Sequence, residues 1–358
     1  MASPIPHEAL ARAVRAAFGA AIAVVATEPL VGDASSRRYV RLRLAGGAAP
    51  PTVVAMLLGT DHPPRFSDEL GGAAAATELP FVNVARWLAA HDLPVPEIHH
   101  DASETDGLLL LEDVGDTTLW DAAVAAPGRV ATLFGAAVEM LVALQVAGAR
   151  DPDPGCQAFQ QRFDGRLARA ELEHFVEHGI ETRRGRPLPA AERTAILEGL
   201  EPLAAPFDEA SPILAHRDFM AWNIHVQGER LRLLDFQDAL LAPDAVDLCA
   251  LLTDRRTPTV VDARLEAALV DAFGRARAAA GLPVPDGLPA RYQRCTLQRA
   301  LKVIGRFYFL ERVKGKRGYL AYLPDVYAVA RRTFDLLPAL AAVRTRIAAH
   351  VPELGAPP

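Results

Sequence analysis

The sequence predicts an α+β protein in which a small antiparallel sheet with one main helix precedes a large, mostly helical lobe. Three observations predict it. Val40, Leu42 and Leu44 alternate with Arg41 and Arg43, a period of two that marks a half-buried strand, and an apolar run at 52–58 follows it across a Gly-Gly-Ala-Ala-Pro-Pro turn. After Asp116 the chain becomes rich in Ala and Leu at helical spacing. Residues 211–240 break that helical run with two short apolar stretches flanking polar residues.

The elements follow in order. Residues 16–25 are apolar and come after Arg12 and Arg15, but they are too few to cross a bilayer, and Ala9, Ala13, Ala16 and Phe18 predict an amphipathic helix instead. The Pro-, Gly- and Asp-rich stretch 59–72 reads as a mobile loop. In 78–90, Phe81, Val84, Ala85 and Leu88 fall at i, i+3, i+4 and i+7 and predict one helix with an apolar stripe. The chain then turns back through Leu93-Pro94-Val95-Pro96-Glu97-Ile98 into a strand, and 107–111 reads as another. His99-His100-Asp101 reads as an exposed turn rather than a metal site. Helices are expected within 119–147, 157–179, 189–204, 261–280, 289–313 and 322–349, and the Gly-Ala-Pro-Pro tail is expected to fray. The expected organisation is a lobe over 1–111, a hinge over 112–118 and a helical lobe over 119–358.

Composition narrows the function. With 358 residues, 51% apolar and 23% charged, the chain can bury a large core. Its formal charge of -6 offers no positive field for a nucleic-acid backbone. No purely apolar stretch of the roughly 18 residues a bilayer span requires is present, so no membrane association is expected. The 3 cysteines, Cys156, Cys249 and Cys295, lie far apart without a CxxC pair, which argues against a disulfide framework and a structural zinc, and points to the cytoplasm. The lysines are Lys302, Lys314 and Lys316, so chemistry that needs a lysine earlier in the chain must use arginine.

The stretch 213–247 carries the chemistry. It holds His216-Arg217-Asp218, then Asn223, then Asp235-Phe236-Gln237 after a strand-like run. Phosphoryl transfer needs an acceptor-only group beside the attacking hydroxyl and oxygen ligands for Mg²⁺. Asp218 supplies the first, while Asn223 and Asp235 supply the second; two protein ligands suffice because Mg²⁺ keeps waters and takes phosphate oxygens. A carboxylate is a weak base at neutral pH, so Asp218 is expected mainly to orient the hydroxyl and to accept its proton late.

The order and spacing of these residues resemble the protein-kinase-like fold of the aminoglycoside phosphotransferase superfamily, over roughly residues 30–335. Within it the chain most resembles the bacterial anomeric kinases of N-acetylmuramate and N-acetylglucosamine that act in peptidoglycan recycling. The carrying segments are Gly32-Asp33-Ala34-Ser35-Ser36-Arg37-Arg38-Tyr39, Leu109-Leu110-Leu111-Glu112-Asp113-Val114-Gly115-Asp116-Thr117, His216-Arg217-Asp218-Phe219 and Asp235-Phe236-Gln237-Asp238-Ala239. They continue with Leu297-Gln298-Arg299-Ala300-Leu301-Lys302-Val303-Ile304-Gly305 and Gly318-Tyr319-Leu320. The resemblance implies a bilobal fold and ATP- and Mg²⁺-dependent phosphorylation of the anomeric hydroxyl of an amino sugar, giving the sugar 1-phosphate. Phe219-Met220-Ala221-Trp222 departs from the polar stretch typical of those relatives.

Further site residues follow from this picture. The turn at 32–36, with Ser35, would cover the nucleotide phosphates, and Glu112 and Val114 would offer hinge backbone to adenine. Val53-Val54-Ala55-Met56 stands where kinases carry a phosphate-binding lysine, so an arginine must serve. Arg38 shares a strand face with Val40, Leu42 and Leu44 and is the expected cation, the other reading being a solvated arginine beside Asp33 or Glu78; Arg37 lies on the opposite face with Tyr39. His216 and Asp247 would brace the catalytic loop. Arg162, Glu171 and Asp238 are candidates to contact the sugar, and Arg299 and Lys302, one helical turn apart, are candidate partners of acidic residues. Two other functions compete: an antibiotic (aminoglycoside-type) phosphotransferase, and a pseudokinase serving as a binding module, which the missing lysine would suit.

Overall fold

A computed structural model of the chain describes residues 5–30, 37–59, 78–209, 211–284 and 287–355. The turn at 32–36, with Ser35, and residues 60–72 of the expected loop lie outside the described residues. The chain divides into two compact units, one formed by Met1–Asp116 with His225–Gln237, the other by Thr117–Ile224 with Asp238–Pro358. The first unit thus runs past 111 and takes back a later piece of chain, the one carrying Asp235. Hydrophobic periods read along a sequence give no access to such a return.

In the first unit, α1 (His7–Phe18) precedes β1 (Ala23–Leu30), β2 (Arg38–Ala45) and β3 (Thr52–Leu57), and then come α2 (Pro80–Ala90), β4 (Ile98–Ala102) and β5 (Leu108–Glu112). The strands form an antiparallel sheet in the order β1-β2-β3-β5-β4. Val40, Leu42, Val53, Ala55, Leu57, Leu108 and Leu110 share one face and pack with Leu10, Ala13 and Val14 of α1. Each buried Val or Leu contributes about 1.5–3 kcal/mol, so this face is what holds α1 to the sheet.

Two strands differ from expectation. β1 was hidden by its mostly exposed residues and Pro29, which an edge strand tolerates because its outer N–H side needs no partner. His99-His100-Asp101 lies within β4 rather than in a turn, because Asp101 and His100 pair with Leu109 and Leu110 of β5. The returning segment brings a hairpin of strands Ile224–Gln227 and Arg230–Leu233. It is fixed by Leu233 N donating to Pro94 O at 2.8 Å and by Arg232, which binds Glu112 and the Val95 carbonyl. Phe236 then stacks obliquely on Phe81 of α2, with ring centroids 4.8 Å apart.

The second unit is helical. It contains α3 (Leu119–Ala125), α4 (Val130–Arg150), α5 (Gly165–His174), α6 (Ala190–Glu209), α7 (Val246–Thr253), α8 (Ala263–Ala279), α9 (Leu288–Tyr308), α10 (Leu323–Asp335) and α11 (Ala341–Ala348). Expected helical stretches are cut where local chemistry intervenes. Pro127 separates α3 from α4, Pro338 separates α10 from α11, and α5 begins only at Gly165, where Asp164 caps Leu167 N at 2.9 Å. Strands Ile213–Ala215 and Leu240–Ala242 pair antiparallel at the foot of this bundle. Among the described residues α4 with its preceding turn is long and apolar enough to cross a membrane, but 56% of that apolar window is buried within the protein. Its packing against α8 and strand Ile213–Ala215 accounts for that hydrophobicity.

The opposite face of β2 carries a charge clamp. Arg41 Nε and Nη2 hold Asp113 at 2.7 and 2.9 Å, and Nη1 and Nη2 hold Asp116 at 2.8 and 2.9 Å. The Asp113 side chain is 8% exposed and that of Asp116 72%, so the two bonds differ in worth. Arg41→Ala strands a buried carboxylate and should cost about 3 kcal/mol in urea unfolding, whereas Asp116→Ala should cost less than about 1 kcal/mol.

Candidate active site

The loop after strand Ile213–Ala215 is built around a buried carboxylate. Asp247, in the first turn of α7, is fully buried and accepts the peptide N–H groups of His216 (2.6 Å) and Arg217 (2.8 Å). Burial pushes its carboxyl up to about 6, against the opposing pull of His216, these two peptide donors and Arg299. This anchor lets Arg217 adopt a left-handed φ of 75°, a conformation that costs a residue with a Cβ about 1 kcal/mol or more. His216 is buried edge-on against Phe219. His216 and Asp247 are thus joined through the peptide N–H of the first and the carboxylate of the second.

Beyond that bend the loop closes on itself. Met220 N donates to Asp218 O at 2.8 Å, Asn223 N to Met220 O at 2.9 Å, and Asn223 Nδ2 to Asp218 O at 3.0 Å. Phe219 and Ala221 are buried alternately and pin the loop to the bundle. Because the Asn223 amide spends its nitrogen on the backbone, its oxygen is the atom turned over to other work. A neutral oxygen donor of this kind suits a hard divalent cation.

Asp218 is set in a field of positive charge. Burial opposes ionisation of Asp218, yet Lys302, Arg299, Arg217 and His216 together hold its carboxyl down at about 2. Arg299 Nη2 lies 3.6 Å from Asp218 and 3.2 Å from Asp254. Lys302 Nζ lies 3.7 Å, and Arg217 Nη2 3.9 Å, from the same oxygen of Glu171, whose other oxygen accepts from Gln298 at 2.8 Å. A cavity of about 10 Å³, the size of one water, is lined by Glu171, Arg217, Gln298, Arg299 and Lys302. Glu171 is thus buried and engaged by 3 partners, which fits it to balance the cations around Asp218 rather than to contact a sugar.

The segment 297–305 gains a geometric meaning here. Gly305 lets α9 approach the main chain of residues 174–175 so closely that a Cβ would lie 2.8 Å from Phe175 Cα. That contact seats Gln298, Arg299 and Lys302 against α5 and the catalytic loop. The i, i+3 spacing of Arg299 and Lys302 was the sequence signal for it, and both do pair with acidic residues.

In the sheet unit, Asp235 is exposed, has a left-handed φ of 61°, and accepts from Gln237 Nε2 at 2.8 Å. Its charge acts on Tyr39. Burial is the main cause raising the Tyr39 hydroxyl above its ordinary value, Asp235 adds to the rise, and Arg37, hydrogen-bonded to Tyr39, opposes it. Tyr39 lies opposite Met56 in the β2–β3 register, so Met56, Tyr39 and Arg37 share the face on which Asp235 acts. Arg38 lies opposite Leu57 and keeps the face of Val40 and Leu42, as the alternation requires, but that is the face covered by α1. Arg37 and Arg38 therefore lie on opposite faces of the sheet, Arg38 on the face that α1 covers.

The remaining residues fall as follows. Glu112, at the end of β5, gives its N–H to Glu97 O at 2.8 Å, and its carboxylate accepts from Arg232 and from Glu97 N. Val114 has a buried side chain, and its N–H and C=O enter no hydrogen bond among the described residues. Arg162 is exposed, bridges to Leu241 through its backbone, and projects its charge toward Asp208. Asp238 is half-buried at the point where the chain re-enters the helical unit. The three cysteines are buried and free.

The profile of the phosphotransferase enzyme family matches residues 27–280. An N-acetylmuramate/N-acetylglucosamine kinase of Neisseria meningitidis serogroup B is 30% identical over 316 residues, covering 86% of each chain. The enzyme of that name from Pseudomonas putida is 31% identical over 320 residues, 88% of this chain and 86% of its own. Among solved structures, choline kinase LicA from Streptococcus pneumoniae superposes with a TM-score of 0.57 at 14% identity, over 94% of this chain and 98% of that one, a likeness of fold. Asp247→Asn offers only one acceptor to two peptide donors and should lower kcat about 10–100-fold. Folded Asp247 binds its proton more tightly than the unfolded chain does, so its contribution to stability falls as pH rises from about 4 to beyond 6. The urea midpoint of the variant should lack that fall.

Proposed function

The chain belongs to the phosphotransferase enzyme family, and on that premise we propose that it transfers the γ-phosphoryl group of ATP to the anomeric hydroxyl of N-acetylmuramate and/or N-acetylglucosamine. The product is the sugar 1-phosphate, formed in the cytoplasm during cell-wall recycling. The catalytic loop carries this reading: an ionised Asp218 among Lys302, Arg299 and Arg217, with Asn223 tied to the Asp218 carbonyl. The names of the N. meningitidis and P. putida relatives supply the choice of sugar.

In the proposed reaction the anomeric oxygen attacks the γ-phosphorus, the bond to the β–γ bridging oxygen breaks with its electron pair leaving on ADP, and the hydroxyl proton passes to Asp218. With its carboxyl at about 2, Asp218 is too weak a base to remove that proton early. Its work is to orient the hydroxyl and to receive the proton as the phosphoryl group arrives. Asn223 and Asp235 are the proposed Mg²⁺ ligands, and bound Mg²⁺ supplies positive charge to the phosphate oxygens. Arg37 takes the phosphate charge for which kinases use lysine, steadied by Tyr39. The carbonyl of Glu112 and the main chain of Val114 are proposed to read adenine.

ATP consumption across N-acetylmuramate, N-acetylglucosamine and an aminoglycoside tests the assignment. Turnover with either amino sugar and none with the drug is expected, and an analogue lacking the anomeric hydroxyl should be inert. Turnover with the aminoglycoside alone would assign an antibiotic-modifying enzyme, and none with any acceptor a pseudokinase. Asp218→Asn should reduce kcat by about 10²–10⁴, and Arg37→Ala should raise the KM for ATP more than Arg38→Ala does.

A further inference from the structure

The residues that hold the catalytic loop from outside come together on one short turn. α7 ends at Thr253, and Asp254, Arg255 and Arg256 follow, closed by Thr257 N donating to Asp254 O at 2.9 Å. Arg255 there has a left-handed φ of 46°, where glycine would be unstrained. Strain of this sort persists only where the surroundings over-determine it, and it gathers at functional sites. Here the surroundings are specific. The Asp254 side chain is 4% exposed and lies 3.2 Å from Arg299, which reaches Asp218 at 3.6 Å. The Arg255 guanidinium carbon lies 5.6 Å from the Trp222 ring centroid and 5.7 Å from that of Tyr322. Trp222 stacks on Trp120 with centroids 4.8 Å apart and planes inclined by 19°. Arg256 covers Trp120 at 5.5 Å, and Trp120 Nε1 donates to Arg256 O at 3.3 Å. Arg256, Trp120, Trp222, Arg255 and Tyr322 therefore form a continuous run of cation and ring contacts, each favourable through the attraction of a guanidinium for a π face or through ring stacking.

We propose that the turn Asp254-Arg255-Arg256 is a positioning element for both ends of the catalytic loop, Asp254 acting on Asp218 through Arg299 and Arg255 acting on Asn223 through Trp222. The assignment of roles to Asp218 and Asn223 rests on the phosphotransfer reading. Trp222 is bonded to Asn223, so its ring fixes where that amide stands, and Asn223 in turn binds the Asp218 carbonyl. Neither Asp254 nor Arg255 needs to touch a substrate. Trp222, at the end of the stretch Phe219-Met220-Ala221-Trp222, thereby acquires a function: it supplies the ring that this turn grips.

The test uses the full chain and three variants, Arg255→Gly, Arg255→Lys and Asp254→Asn. Glycine suits the left-handed backbone, so Arg255→Gly removes the stack while relieving strain and should fold. Amide exchange in residues 216–224 of this variant should quicken about tenfold or more while α8 and α10 stay protected. Lysine keeps the charge without the planar stack and should not restore protection. In turnover, Arg255→Gly should raise the Mg²⁺ concentration needed for half activity and lower kcat about 10–100-fold. Asp254→Asn should lower kcat with the Mg²⁺ midpoint unmoved. Wild-type exchange in 216–224 of Arg255→Gly, exchange raised uniformly over the helical unit, or the same kinetic change in both variants would overturn the proposal. A wild-type chain with no ATP-dependent turnover would overturn the phosphotransfer reading instead, and the exchange measurement would still decide whether the turn positions the loop.

Discussion

The bond pair from the peptide N–H groups of His216 and Arg217 to Asp247 governs most of what this protein can do. A buried carboxylate is costly to ionise, and satisfying it with two main-chain donors converts that cost into a fixed bend of the chain. With the bend fixed, Arg217 can occupy a strained backbone and still send its guanidinium back toward Glu171, while Asp218 lies within reach of Arg299. Without it, neither the Arg217 guanidinium nor the Asp218 carboxylate has a defined place.

Around this bend the helical unit assembles a balanced group of charges rather than isolated ion pairs. Arg217, Arg299 and Lys302 face Glu171, Asp218 and Asp254 over separations of 3.2–3.9 Å. These are longer than charge-assisted hydrogen bonds, so the interaction acts mainly as a field. Such a field keeps Asp218 charged without tying its oxygens to one partner, which suits the role proposed for it. α9 delivers two of the cations from one face, and it can come close enough because Gly305 has no side chain.

Much of this was legible in the sequence, and the failures have physical causes. The alternation in 40–44 and the apolar stripe of α2 each depend on neighbours in sequence, and each was read correctly. The face of Arg38 was also read correctly, but which face α1 would cover depends on Leu10 and Val14, far away in sequence. The return of 225–237 to the sheet unit hinges on Phe236 meeting Phe81 and on Arg232 meeting Glu112, pairings that no local pattern announces. Glu171 looked like a polar residue available to a ligand because burial by α9 is invisible in the period of α5. Trp222 stood out only as a departure, since its partner Arg255 lies in a turn without hydrophobic periodicity.

The sheet unit contains no lysine, so every strongly basic side chain it presents is a guanidinium. A guanidinium keeps its charge throughout the range of cellular acidity and offers no primary amine to acetyl donors. Lysine acylation, which can neutralise a kinase at its phosphate-binding amine, therefore has no side-chain target on that unit. The first lysine such a reagent would meet is Lys302, sheltered beside Glu171 on the helical side, and this division leaves the basic charges of the sheet indifferent to the metabolic state that acyl groups report.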